Sequence, residues 1–119
     1  MSWRPIAEAE LRDLLVRELA ECADAQREFF ARVRIDPAKW AQSPWGDLGG
    51  GFWAVAVHES RVLWFNDIED GFNVSSFTEH GRLPDDEYWC NDDPLRFALP
   101  LLEGSTGTRL GPPQRVGDG

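Results

Sequence analysis

The residues best able to do chemistry lie in one short run, Asn66-Asp67-Ile68-Glu69-Asp70-Gly71. Hard cations such as calcium take oxygen ligands, and this run offers three carboxylates and an amide. A calcium loop of the helix–loop–helix type needs oxygen donors at its first, third and fifth positions, glycine at the sixth and glutamate at the twelfth. With Gly71 at the sixth, Ile68 falls at the third and Phe77 at the twelfth, so the pattern fails twice. A solvated hairpin turn is the simpler reading, because Asp-Gly suits chain forced toward positive φ.

Other chemistries fare no better. Glycoside hydrolysis needs paired carboxylates, and Asp67, Asp70, Glu87, Asp92 and Asp93 are all candidates. Their abundance in an acidic chain makes them uninformative, and Asp92 and Asp93 read more simply as N-caps of a final helix. The run Gly49-Gly50-Gly51 precedes a strand and lacks a nearby lysine, the reverse of a phosphate loop. His58 and His80 stand alone at strand ends. Cys90, flanked by Tyr88, Trp89 and Asn91, would be a buried thiol among acids and so less ionised. The sequence therefore assigns no catalytic residue, no cofactor and no metal ligand.

The elements that must position these residues follow from periodicity. Residues from about Pro5 to Arg34 repeat apolar positions at three- and four-residue gaps, which predicts one long helix that either overhangs the sheet or breaks near Ala23–Ala25. Ser2 is a candidate cap and Pro5 suits a first helical turn. Asp36-Pro37 predicts a cap followed by a single helical turn through Trp40. From Phe52 the period becomes two, in GFWAVAV, RVLWFN and GFNVSSF, which predicts an antiparallel meander. Trp53, Val55 and Val57 should share one face of the first of these strands, and Phe52, Ala54 and Ala56 the other. Both faces are apolar, so that strand should be central. A fourth short strand is expected around Tyr88–Cys90. A short helix follows Asp93-Pro94, and Pro100 should kink or end it. The expected architecture is α+β: a long N-terminal helix on a three- to four-stranded antiparallel sheet, a short C-terminal helix, one domain over 1–103 and a disordered tail over 104–119.

Composition bounds the function classes. The 119 residues carry a net charge of −9, and six Trp and seven Phe exclude general disorder. Residues 1–35 are near neutral, whereas 36–103 hold thirteen acids against Lys39 and three arginines. Nucleic-acid and anionic-membrane binding are disfavoured, since both need clustered Lys and Arg. Without a basic segment leading into an apolar run, a signal peptide is not expected, and two scattered cysteines fit a cytoplasmic protein.

Residues 45–53 (WGDLGGGFW), 63–75 (LWFNDIEDGFNVS) and 88–95 (YWCNDDPL) resemble a family of small uncharacterised bacterial proteins. The resemblance implies a standalone domain and no assigned reaction. In architecture and composition the chain also resembles the SUKH superfamily of immunity proteins, which implies a toxin-binding role.

Taken together, these features predict a cytoplasmic interaction domain, monomer or homodimer, that meets a basic protein partner. Asp67, Glu69 and Asp70 would supply charge, and Trp45 and Trp64 apolar anchors. The alternatives are a small-ligand or divalent-cation site at the 66–71 loop, with or without catalysis, and a dimeric structural protein paired through the long first helix.

Overall fold

The computed structural model describes residues 3–105 and 109–112. Its elements run α1 (Glu8–Ala20), α2 (Asp24–Val33), β1 (Arg34–Trp40), β2 (Phe52–His58), β3 (Arg61–Asn66), β4 (Gly71–Ser76) and α3 (Leu95–Glu103). The four strands form an antiparallel meander in the order β1-β2-β3-β4. The α+β architecture is therefore as the periodicity predicts.

The sheet is covered on both faces. Helices α1, α2 and α3 bury Leu11, Leu15, Phe29, Phe30, Leu95, Leu99 and Leu102 against Val55, Leu63, Phe65 and Val74 on one face. On the other, Trp40, Phe52, Ala54, Val62 and Trp64 pack under loop residues Leu83 and Tyr88. The alternation of β2 departs from expectation at its middle, because its register with β3 shifts between Ala54 and Ala56. An extra residue in a bulge slips the alternation by one. Ala56 therefore joins Val55 on the helix side while Val57 turns to the loop side.

Two predicted elements are replaced. Asp36-Pro37 starts no helical turn, because both residues lie within β1. Arg34, Asp36 and Ala38 are exposed and alternate with half-buried Ile35, Pro37 and Lys39, a period of two that the Asp-Pro signal obscures. Proline is tolerated there because β1 is an edge strand and needs no N–H on its open side. Residues 88–90 in turn form no strand, and β1 is the fourth strand instead.

The predicted long helix is two helices, broken at Glu21–Ala23. The Ala23 N–H donates to Gln26 Oε1 at 3.0 Å, and the Arg27 guanidinium donates to the Leu19 and Cys22 carbonyls. These bonds satisfy the groups that a helix end leaves bare. The break lets Leu11 and Leu15 of α1 and Phe29 and Phe30 of α2 reach one core. Helix α1 starts after Ala7, whose N–H donates to Glu10 Oε1 at 3.0 Å. Ser2 lies outside the described residues.

Pro100 does not end α3, which runs on to Glu103. Proline deprives the Arg96 carbonyl of its usual i+4 donor. The Gln26 Nε2 donates to that carbonyl instead, at 2.9 Å, so one α2 side chain closes its own helix start and repairs α3.

We expect Gln26→Ala to destabilise the fold by about 1–3 kcal/mol, the usual cost of a lost cap and an orphaned carbonyl. In a Pro100→Ala background the loss should be smaller, because the alanine N–H then serves Arg96. Urea unfolding of the four-member cycle measures this, and additive losses would show that the Gln26–Arg96 bond does not compensate for the proline.

Candidate functional site

Residues 87–93 run beside β4 and are stitched to it largely by side-chain amides. The Asn91 N–H donates to Asn73 Oδ1 at 2.9 Å, and Asn73 Nδ2 donates back to the Asn91 carbonyl at 3.0 Å. Further along, Ser75 Oγ donates to the Glu87 carbonyl at 2.5 Å and itself accepts from Trp64 Nε1 at 2.8 Å. At the other end the Phe72 N–H donates to the Asp93 carbonyl at 2.9 Å. Asn66 joins the same network, donating from Nδ2 to the Tyr88 hydroxyl and the Trp89 carbonyl. Asn66, Asn73, Ser75 and Asn91 are all buried, and such groups are stable inside only when their hydrogen bonds are made.

Gly71 permits this contact. A Cβ there would stand 2.3 Å from the Asn91 carbonyl oxygen and 2.3 Å from Asp92 Cα, closer than any side chain allows. The positive φ expected of the Asp-Gly pair falls on Asp70, at 56°. Asp92 and Asp93 are not helix caps either: α3 starts after Pro94, and Glu18 Oε1 accepts the Leu95 N–H at 2.8 Å.

This stitching builds one wall of a groove of about 410 Å³ whose opposite wall is α1. Ile6, Leu14, Phe65, Phe72 and Pro94 supply its apolar lining. Glu10, Glu18, Asp70, Asp92 and Asp93 supply five carboxylates against one cation, Arg17. Three of the five have local duties: Glu10 is held by Arg4 at 3.0 Å and Glu18 by the Leu95 N–H, while Asp93 Oδ2 accepts from Asn91 Nδ2 at 3.0 Å. Asp70 and Asp92 are exposed, and among the described residues no hydrogen bond or ion pair engages either side chain. The hydrogen bonds from Arg4 and the Ala7 N–H lower the Glu10 carboxyl from its ordinary value.

The five site residues predicted from sequence separate. Asp70 lines the groove. Glu69 is exposed at the hairpin tip. Asp67 turns inward, where Oδ2 accepts the Ile6 N–H at 2.8 Å and its carbonyl accepts from Trp3 Nε1 at 3.0 Å. With Trp53 Nε1 donating to the Ile6 carbonyl, these bonds fasten the N-terminal arm across the sheet end. Trp64 is fully buried and cannot anchor a partner. Trp45 is 43% exposed, but it stacks on Tyr88 at 5.7 Å, on the sheet face opposite the helices. Asp67 is committed to Ile6 rather than turned outward with Glu69 and Asp70, and among the described residues no three His, Cys, Asp or Glu converge as a metal site.

Sequence reasoning missed the α1 contribution, Glu10, Leu14, Arg17 and Glu18. Their spacing of four, seven and eight marks one helical stripe, but nothing local shows that an acidic loop will face it. Cys90 has its thiol raised by burial, which makes it less reactive. Of the segment expected to be a disordered tail, Arg109 and Leu110 lie beside 87–91: the Cys90 N–H donates to the Leu110 carbonyl, and the Leu110 N–H to Asn91 Oδ1 at 2.6 Å.

No family model, curated protein or solved structure matches this chain.

Burial pushes the Asp67 carboxyl above its ordinary value, while the Ile6 N–H and the Lys39 charge pull it partly back. The folded chain therefore holds this proton more tightly than the unfolded chain. Stability falls as pH rises from the unfolded value through the raised folded one. Asparagine keeps an acceptor for Ile6 and removes the charge. Urea unfolding of wild type and Asp67→Asn from pH 3 to 7 should show wild type losing stability relative to the variant as pH rises. The opposite slope would mean that Lys39 attraction outweighs burial.

Proposed function

We propose that this chain is a protein-interaction domain that receives a basic segment of a partner protein in the groove between α1 and residues 92–94. The observation that carries this reading is the lining itself: five carboxylates and one arginine surround an apolar floor. A lysine or arginine side chain suits such a surface, because its methylenes lie on apolar groups while its charge reaches the rim. The surplus of negative charge would also speed encounter with a positive partner. Asp70 and Asp92, free of internal duties, are the contacts the partner would neutralise. Trp45, on the other face, is not part of this surface.

An immunity-type inhibitor of a basic toxin is the concrete form that the SUKH resemblance suggests. A reducing compartment such as the cytoplasm suits the free Cys22 and Cys90.

The test uses a fluorescein-labelled peptide of alternating Lys and Leu, read by anisotropy. Asp70→Asn with Asp92→Asn should weaken binding about tenfold, since two partly exposed charge pairs together contribute on the order of 1.4 kcal/mol. Asn is tolerated at the positive φ of residue 70. The control pair Asp13→Asn with Glu21→Gln, exposed on α1 and in the turn after it, removes the same charge elsewhere and should change binding little. Equal losses in both pairs would reduce the effect to net charge, and binding unaffected by salt would mean that charge does not carry it; either result sinks the groove reading.

A further inference from the structure

We infer that Glu87, Trp89 and Asn91 form a second docking slot, one that takes an extended partner segment carrying an arginine, and that the chain's own Arg109-Leu110 fills it in cis. This slot lies before the groove wall in sequence and does not rest on the groove reading.

The seated segment shows what the slot recognises. The Arg109 guanidinium lies over the Trp89 ring, 5.6 Å from its centroid, with Nη1 3.9 Å from Glu87 Oε1. Cation–ring and ion-pair attraction thus act on one side chain. Leu110 is held through its backbone, accepting from the Cys90 N–H and donating to Asn91 Oδ1. With its C=O held by a backbone N–H and its N–H by a side-chain amide, Leu110 is engaged through its main chain much as an extended peptide is at a strand edge. It reads main chain rather than sequence, so any segment offering the same cation could replace this one.

The cis occupant also fits incompletely. Trp89 Nε1 and Arg109 Nε are both buried and neither finds an acceptor among the described residues. A buried donor without an acceptor weakens the state that contains it. Leu110 is itself 54% exposed and adds little burial. The segment's advantage is that only five residues separate Glu103 from Arg109, and a short tether holds an effective concentration in the millimolar range. A partner segment that brings an acceptor to Trp89 and Arg109's position would compete against that tether.

The experiment keeps the full chain. A fluorescein-labelled eight-residue peptide repeating residues 106–113 is titrated by anisotropy into wild type and into Arg109→Ala/Leu110→Ala, whose own segment no longer competes. The variant should bind at least tenfold more tightly than wild type. A peptide with its arginine replaced by alanine should bind at least tenfold more weakly to that variant. Adding Glu87→Gln, which leaves an oxygen for the Ser76 N–H that Glu87 accepts at 2.7 Å, should remove most of the gain. The groove pair Asp70→Asn/Asp92→Asn should leave it unchanged. Arg109→Ala alone, which spares the Leu110 pairing, repeats the comparison with a smaller gain should the double variant melt early.

No binding to the folded variant, or equal binding of the alanine peptide, would overturn the slot. Loss of binding in the groove pair would place the peptide in the groove and overturn it too. A wild-type dimer in light scattering that Arg109→Ala abolishes would show a second copy's tail in the slot, and would overturn the assignment to a partner.

Discussion

The reciprocal pair of amide hydrogen bonds between Asn73 and the backbone of Asn91 is the constraint from which the functional surface follows. It seats residues 91–93 on β4 without a regular strand ladder, and Gly71 leaves the space for them to come that close. Both amides are buried, so breaking the pair would expose each to the cost of an unmade hydrogen bond, about 1–3 kcal/mol apiece. Three things depend on the seating. It sets Asp92, Asp93 and Pro94 as a groove wall, it delivers the start of α3 to Glu18, and it presents Trp89 and Asn91 to the C-terminal residues.

A second set of bonds holds the opposite side of the groove. Asp67 receives Ile6, Trp3 reaches the Asp67 carbonyl, and Trp53 reaches the Ile6 carbonyl. The arm before α1 is thereby fixed across the end of the sheet, with Ile6 in the groove floor. This arrangement divides the acids of the 66–71 run by role. Asp67 stabilises local geometry despite the cost of its burial, whereas Asp70 lines the groove. The carboxylates that do not satisfy an internal donor are the ones left for an external cation.

Much of the fold was legible because its signals are local. The period of two from Phe52 located β2, β3 and β4, and the apolar character of both faces marked β2 as central. The limits of local reading are equally physical. Asp36-Pro37 is a good helix start in isolation, yet β1 sits at a sheet edge where proline costs no ladder bond. Tyr88–Cys90 looks like a strand because it does run beside one, but Asn side chains replace the backbone pairing that defines a strand. Pro100 is a helix breaker in any sequence window, and Gln26, 70 positions from the Arg96 carbonyl it reaches, offsets it. Trp64 has the residue type of an interface anchor, but the packing of both sheet faces encloses it wholly.

By itself the chain determined its α+β class, its aromatic core and its excess of carboxylates, since period, residue volume and charge are properties of neighbouring residues. Which carboxylates face a partner was decided only by tertiary structure. That choice depends on whether a backbone donor elsewhere in the chain claims each oxygen. Ile6 claims Asp67 and Leu95 claims Glu18, across separations of 61 and 77 residues, while Asp70 and Asp92 are left facing solvent. No spacing rule spans such distances, so the site became visible only once the sheet had brought those segments together.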